Sequence, residues 1–323
     1  MRRRPLLLGL TAVPLVARAQ SSAAPPYPDR PVTVVNPWPA GGSSDSVARI
    51  LMQRLSADLG QPFVVENRPG ATGTLGHNFV ARARPDGTTL LLGTNSTYAI
   101  APHLAALPYD NATAFAGISL IASSPQILCV HPTVAAQELA GLLALAKARP
   151  DALSFGTSGI GGTSHLATEM LMAMANISML HVPYRGGGPA AQALLTGEVQ
   201  VTFIDLITAL PFITSGQVRA LGTSTRHRAP LAPQVPTIAE AGLPDFESST
   251  DFAFLAPAGT PDPILHRLAA ASAVALRAPE VASKLEAAGI TILAEGPDQW
   301  PGYFTREVAK WGGIIKARGI RAP

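Results

Sequence analysis

VVNPWPAGGSSDSVARILMQRL, residues 34–55, passes from an apolar strand through a Gly-Gly-Ser-Ser bend into a helix whose apolar residues recur at helical spacing. Ser43, Ser44 and Asp45 are favoured helix-capping residues, and Gly41-Gly42 removes the side chains that would hold a ligand off the backbone. A helix start exposes unpaired N–H donors and a partial positive charge of about half a unit, which suits a carboxylate or a phosphate. An ordinary capped strand-to-helix turn fits the local sequence equally well, so the meaning of the bend depends on the rest of the chain.

Strands and helices alternate outward from it. VTVV (32–35) precedes the helix closed by Gly60, and FVVEN (63–67) follows as a strand. HNFVARAR, stopped by Pro85, makes a short helix and TTLLLGTNS a further strand. The pattern restarts after residue 117: ISLIASSPQILCVHP is a long extended run broken at Ser-Ser-Pro, and LSFGT, MLHVPY and VQVTFID are strands separated by helical segments. This order argues for an α/β fold with two lobes, each a mostly parallel sheet flanked by helices. Residues 27–123 with 252–323 are expected to form the first lobe and 124–251 the second. The extended run DFAFLAPAG (251–259) brings the chain back, and two crossing strands make a firmer hinge than one.

The 323 residues and 47% hydrophobic content support a well-buried globular protein of one large or two medium domains. MRRRPLLLGLTAVPLVARAQ has a charged start, a run of roughly twelve apolar residues, too short to span a bilayer, and an Ala17-Arg18-Ala19 cleavage pattern. It reads as a secretory signal peptide, residues 1–19, on a Sec or twin-arginine route. Losing Arg2, Arg3, Arg4 and Arg18 takes the formal charge from +3 to −1 (+3 less four), which removes any argument for a nucleic-acid partner or an anionic membrane. Cys129 is the single cysteine, within an apolar run, and reads as a buried, unreactive thiol.

Other bends repeat the first. SFGTSGIGGTSHLATEM (154–170) ends a strand, carries Gly156, Gly159, Gly161 and Gly162, and opens a helix at Thr163-Ser164-His165, where His165 would fix the loop backbone. HVPYRGGGPAAQALLTGEV (181–199) places Gly186-Gly187-Gly188 before a helix with the Tyr184 hydroxyl beside it, unless that ring simply packs beside a turn. Thr94, Asn95 and Ser96 end another strand with neutral groups able to orient a ligand. Such bends lie where α/β folds bind ligands. A P-loop lysine, a dinucleotide acid and a G-x-S-x-G elbow are all missing, so Ser44, Ser158 and Ser164 read as hydrogen-bonding groups. Asp45 and Asp205 could form a carboxylate pair, though a helix cap and a strand-end residue explain them more simply. The seven histidines are scattered, so neither a metal nor another cofactor is expected.

Taken together, PWPAGGSSDSVAR, VVENRPGATGTLG, RPDGTTLLL, SFGTSGIGGTSHLATE, HVPYRGGGPAAQALLTGEV, VPTIAEAGLPDFE and LAPAGTPDPIL resemble the substrate-binding proteins of tripartite tricarboxylate transporters, the Bug family of periplasmic solute receptors. The resemblance spans nearly all of the chain after the signal peptide. It implies a type II-like, two-lobed periplasmic binding protein, without enzymatic activity, that closes on a small organic acid and delivers it to membrane components of such a transporter. It also implies ligand contacts at Trp38, Ala40, Gly41, Gly42, Ser44 and Asp45, and at Ser158, Gly159, Thr163, Ser164 and His165. Trp38 stands where the family often has Phe, which would favour an aromatic or longer ligand. Asp205 is a further candidate ligand contact, although the family often places an acid earlier in VQVTFID; a ligand that carries an ammonium group would need such an acid. A sensor for a signalling partner would use the same pocket, and an exported enzyme of carboxylate metabolism would need a catalytic base. A one-site receptor has no need to be more than a monomer.

Overall fold

Alternating β-branched runs and amphipathic segments set the elements of the computed structural model, which describes residues 27–321; the signal-peptide reading lies outside them. In chain order they are β1 (Val32–Asn36), α1 (Ser43–Leu59), β2 (Phe63–Asn67), α2 (Thr74–Ala81), β3 (Thr89–Thr94) and β4 (Phe115–Val130). Then come α3 (Leu139–Ala148), β5 (Ser154–Thr157), α4 (Thr163–Ala175), β6 (Leu180–Pro183), α5 (Gly187–Leu195), β7 (Val201–Asp205), α6 (Leu206–Thr214) and β8 (Arg219–Thr223). The chain closes with β9 (Ser249–Pro257), α7 (Asp262–Arg277), α8 (Pro279–Ala287), β10 (Thr291–Glu295) and α9 (Trp300–Arg318). Among the described residues no helix is long and apolar enough to cross a membrane.

The first lobe stacks β2, β1 and β3 in parallel, and β9 then pairs antiparallel with β3. In the second, β6, β5 and β7 are parallel. The outer strands are thus parallel and the strands that cross between the lobes are antiparallel. Helix α1 shows why local sequence suffices for an outer element. Val47, Ala48, Leu51, Met52 and Leu55 fall on one face and are buried against Val32, Val34, Leu90 and Leu92 of the sheet. Gly60, in the left-handed region at φ 70°, ends the helix and donates its N–H to the Ser56 carbonyl.

The break expected at Ser-Ser-Pro does not occur. Strand β4 runs unbroken for 16 residues and changes partners there. Residues 115–125 pair with β9, and from Gln126 onward β4 pairs with β7. β8 joins from Ile127. Pro125 has no N–H to give, and it sits where one ladder ends and the next begins, so the strand accommodates it. Ser224 ties the crossing: its hydroxyl accepts from the Gln126 N–H (3.0 Å) and donates to the Ser248 carbonyl (2.6 Å). Asn95 clamps the return strand by donating to the Ser249 carbonyl at 3.0 Å and accepting from the Asp251 N–H at 3.3 Å.

Three further elements carry weak sequence signals. Helix α6 contains Pro211, β8 is a short run between turns, and β10 is a half-exposed strand lying antiparallel to β4. Helix α9 packs its fully buried Trp311 and its Tyr303 into the core cluster that also takes in Leu166 and Leu171 of α4. It reaches α4 again through Arg318, whose Nε donates to Glu169 at 3.0 Å.

Gly117 of β4 lies under Trp300, and a Cβ added there would stand 2.3 Å from the indole Cγ. Gly117→Ala is expected to lower stability by about 1–3 kcal/mol through overpacking, read as a fall in the urea midpoint; an unchanged midpoint would mean that Trp300 moves aside without cost.

Candidate functional site

Four strand ends deliver four helix starts to one cavity of about 350 Å³ between the lobes. The first bend contributes Trp38, Pro39, Ala40 and residues 41–44 ahead of α1; the second contributes Ser158, Thr163 and Ser164 at the head of α4; the third contributes Arg185 and residues 186–189 at α5. Asp205 and Thr208 belong to the head of α6. At the first three heads the residue before the helix is Gly42, Gly162 or Gly186, so no side chain of the capping residue competes for the first-turn N–H groups. The first and third bends approach closely: a Cβ on Gly186 would lie 3.7 Å from Pro39 Cγ.

Each bend is held by its own polar contacts. In the first, Asp45 accepts from the Gly41 N–H (3.1 Å), from Asn67 Nδ2 (2.9 Å) and from Arg49 Nε (2.9 Å). Burial pushes the Asp45 carboxyl up, but these donors outweigh it and hold the group below the usual carboxylate range. Ser44 Oγ donates to Asn36 Oδ1 at 2.6 Å, and the Trp38 indole N–H donates to Thr94 Oγ1 at 2.9 Å, which fixes the ring in the wall. In the second bend the Gly161 N–H donates to His165 Nδ1 (3.1 Å), and His165 Nε2 lies 3.6 Å from Glu169. His165 stacks on His181 with centroids 4.2 Å apart. Burial, together with the neighbouring His165, pushes His181 down to about 4, so its ring is neutral at ordinary pH. The lobes also touch through the bends: the Thr163 N–H donates to Ser96 Oγ (3.1 Å) and Thr72 Oγ1 to the Ile160 carbonyl (3.1 Å).

One cavity wall is a chain of side chains. Ser43 Oγ donates to Asp205 Oδ2 at 2.5 Å and Thr250 Oγ1 to Asp205 Oδ1 at 2.9 Å. Thr163 Oγ1 lies 2.9 Å from Thr250 Oγ1, and Gln126 Nε2 donates to Thr163 Oγ1 at 3.3 Å. Burial raises the Asp205 carboxyl above its usual value, and the bonds from Ser43, Thr250 and Gln126 oppose that rise.

The sequence model described as the tripartite tricarboxylate transporter family receptor matches residues 47–320. This chain belongs to that family. BugT of Bordetella pertussis is 35% identical over 301 residues, covering 93% of this chain and 92% of the relative. Among solved structures, R. palustris Rpa4515 with adipate is similar at a TM-score of 0.87 and 34% identity, covering 92% of this chain and 100% of that one. MatC from Rhodopseudomonas palustris with bound malate follows at 0.84 and 32%, with 90% and 100% covered.

In this receptor the expected residues divide into two groups. Trp38, Ala40, Gly41, Gly42, Ser44, Thr94, Ser96, Ser158, Thr163, Ser164 and Asp205 line the cavity. Asp45, Asn95, Gly159, His165 and Tyr184 stand outside its lining. Asp45 and His165 hold the bends from behind, and Asn95 clamps β9. Gly159 supplies a φ of 128° that a side chain would resist, and the Tyr184 hydroxyl turns away to Glu198 at 2.8 Å. Sequence reasoning missed Gln126, Arg185, Phe203, Thr208 and Thr250. Arg185 stands in the wall, and its place immediately before Gly186 was the available signal. Thr250 and Gln126 carried none, because they belong to the crossing strands and not to a bend.

Two predictions follow from the bends. The carboxyl of Asp45 is lower in the folded receptor than in the unfolded chain, so its stabilisation is complete above the ordinary Asp range of about 4 and is lost as the pH falls from there through the lower folded value. Asp45→Asn should therefore be less stable than the parent at pH 7, with the gap closing in acid, as followed by chemical unfolding at stepped pH. A Cβ on Gly162 would stand 2.4 Å from Ser158 Oγ and 3.2 Å from the Gly159 carbonyl. Gly162→Ala should weaken ligand binding about tenfold or more by displacing the second bend, and calorimetric titration giving the parent affinity would refute this.

Proposed function

We propose that the protein is a periplasmic solute receptor that captures a small organic acid in the cavity between its lobes and passes it to the membrane components of a tripartite tricarboxylate-type transporter. The observation that carries this reading is the convergence of glycine-led helix starts on one cavity, since such starts favour anions without requiring a matching side chain. Adipate and malate in the two solved relatives support a carboxylate in particular. Trp38, Phe203 and Ile204 give the cavity an apolar flank fit for a carbon chain or a ring. Di- and tricarboxylates and aromatic acids are the classes that this combination suits.

Each helix start contributes only about 0.3–1 kcal/mol when exposed and up to roughly 2 when partly buried. Affinity therefore depends on closure of the lobes, which excludes water and strengthens every polar contact inside. A ligand shifts the balance to the closed form by binding it more tightly than the open one. The reading includes no covalent step. The cavity lining holds no His or Cys, and its serines are hydrogen-bonded to Asp205, to Asn36, to the Thr163 N–H and to one another.

Native mass spectrometry of the purified protein, followed by thermal shift across mono-, di-, tricarboxylic and aromatic acids, tests the reading. A ligand at one hundred times its Kd stabilises by about 2.7 kcal/mol, which for a chain of this size raises Tm by roughly 4 °C. Gly42 lines the cavity, and the nearest atom to an added Cβ is the Pro39 carbonyl oxygen at 3.9 Å. Gly42→Val should therefore keep the fold and lose the shift. A parent protein indifferent to every acid would overturn the carboxylate reading.

A further inference from the structure

We propose that the receptor selects acids that carry, besides a carboxylate, a hydrogen-bond donor such as a hydroxyl or an ammonium group, and that Asp205 with its adjoining hydroxyls is the surface that recognises this donor. The proposal rests on the carboxylate-receptor reading above and specifies the ligand class within it.

Thr250 Oγ1 has one proton, and it lies on Asp205 Oδ1, which as a carboxylate oxygen can only accept. Thr250 therefore cannot donate to Thr163, so the 2.9 Å contact between the two hydroxyls has Thr163 as donor. The Thr163 oxygen in turn accepts from Gln126 Nε2. From the other side, the Ser43 proton lies on Asp205 Oδ2. Every hydroxyl proton along this wall thus points at Asp205 or toward it.

The cavity meets what remains, which is lone pairs. An ionised carboxylate offers about four acceptor positions, and the donors from Ser43 and Thr250 leave capacity unused. Asp205, Thr163, Thr250 and Ser43 all line the cavity, so the unused capacity borders the ligand space. A second ligand carboxylate placed against this wall would set acceptor against acceptor and charge against charge. A ligand hydroxyl or ammonium would satisfy it. The glycine-led helix starts and Arg185 supply the opposite character, so the cavity has a donor side for the acid group and an acceptor side for the substituent.

The test measures Kd by titration calorimetry for matched trios that differ only in the substituent: succinate, malate and aspartate, then glutarate, 2-hydroxyglutarate and glutamate. In at least one trio a substituted acid should bind at least about tenfold more tightly than the plain diacid, because a site built around a donor discriminates against ligands that lack it. Preference for the amino acid identifies an ammonium, and preference for the hydroxy acid a hydroxyl. In Asp205→Asn, checked for folding by thermal unfolding, the ratio should shrink to about threefold or less. Plain diacids binding as tightly as substituted ones, or a ratio that survives in Asp205→Asn, would overturn the proposal. If that variant does not fold, Ser43→Ala, which frees one Asp205 oxygen, should widen the ratio at least about threefold, and an unchanged ratio would overturn it. No binding by any acid would instead overturn the carboxylate reading and this proposal with it.

Discussion

The molecule depends on one backbone ladder that changes partners without breaking. Strand β4 serves β9 up to Pro125 and β7 with β8 beyond it, so a single stretch of extended chain belongs to both lobes. An extended strand is stiff because both of its edges are paired, and the change of partners falls where proline removes an N–H that neither ladder needs. Gln126, the first residue past that point, takes part in the hinge through its N–H and in the cavity wall through its amide. The crossing between the lobes and the cavity wall are therefore built from the same few residues.

The bends were legible because their chemistry is local. A strand, two glycines and a run of Ser, Thr or Asp specify a helix start whatever surrounds it; two such stretches border the cavity, and a third bend opens its helix with Gly186-Gly187-Gly188 and Pro189. What lay beyond the sequence is the direction in which side chains point. Asp45 and Ser44 are neighbours on the same helix start, yet Ser44 lines the cavity while Asp45 turns back to Gly41, Asn67 and Arg49. His165 is likewise turned from the cavity by its bond to the Gly161 N–H. Thr250 and Gln126 are brought to the site by pairings between residues far apart in the chain, Ser124 with Thr250 and Gln126 with Asp205, which no local pattern encodes. The same cause hid β8 and β10, since a short strand that joins an existing ladder needs little signal of its own.

The charges of the site are few and separated in role. Arg185 is exposed, whereas Asp205 is half-buried and surrounded by donors. Behind the second bend, Glu169 is pushed up by burial, yet contacts with His165 and Arg318 hold it below its usual range. The carboxylate behind the bend thus stays ionised and anchors α9 to α4 and His165. Because His165 Nδ1 in turn receives the Gly161 N–H, a surface residue of the last helix is connected to a binding loop by three successive polar contacts.

The glycine-led helix starts also bear on how such receptors diversify. Backbone N–H groups persist through any substitution that spares the bend's conformation, so the ability to hold an acid group is insulated from most mutation. The opposite wall is made of side chains from β4, α4, β7 and β9, and a change of side chain there leaves the backbone N–H groups of the glycine-led bends in place. Under the proposed function, charge recognition is inherited with the fold, whereas the identity of the acid depends on a handful of exchangeable residues. A lineage can therefore change its nutrient while keeping the same capture mechanism and the same moving parts.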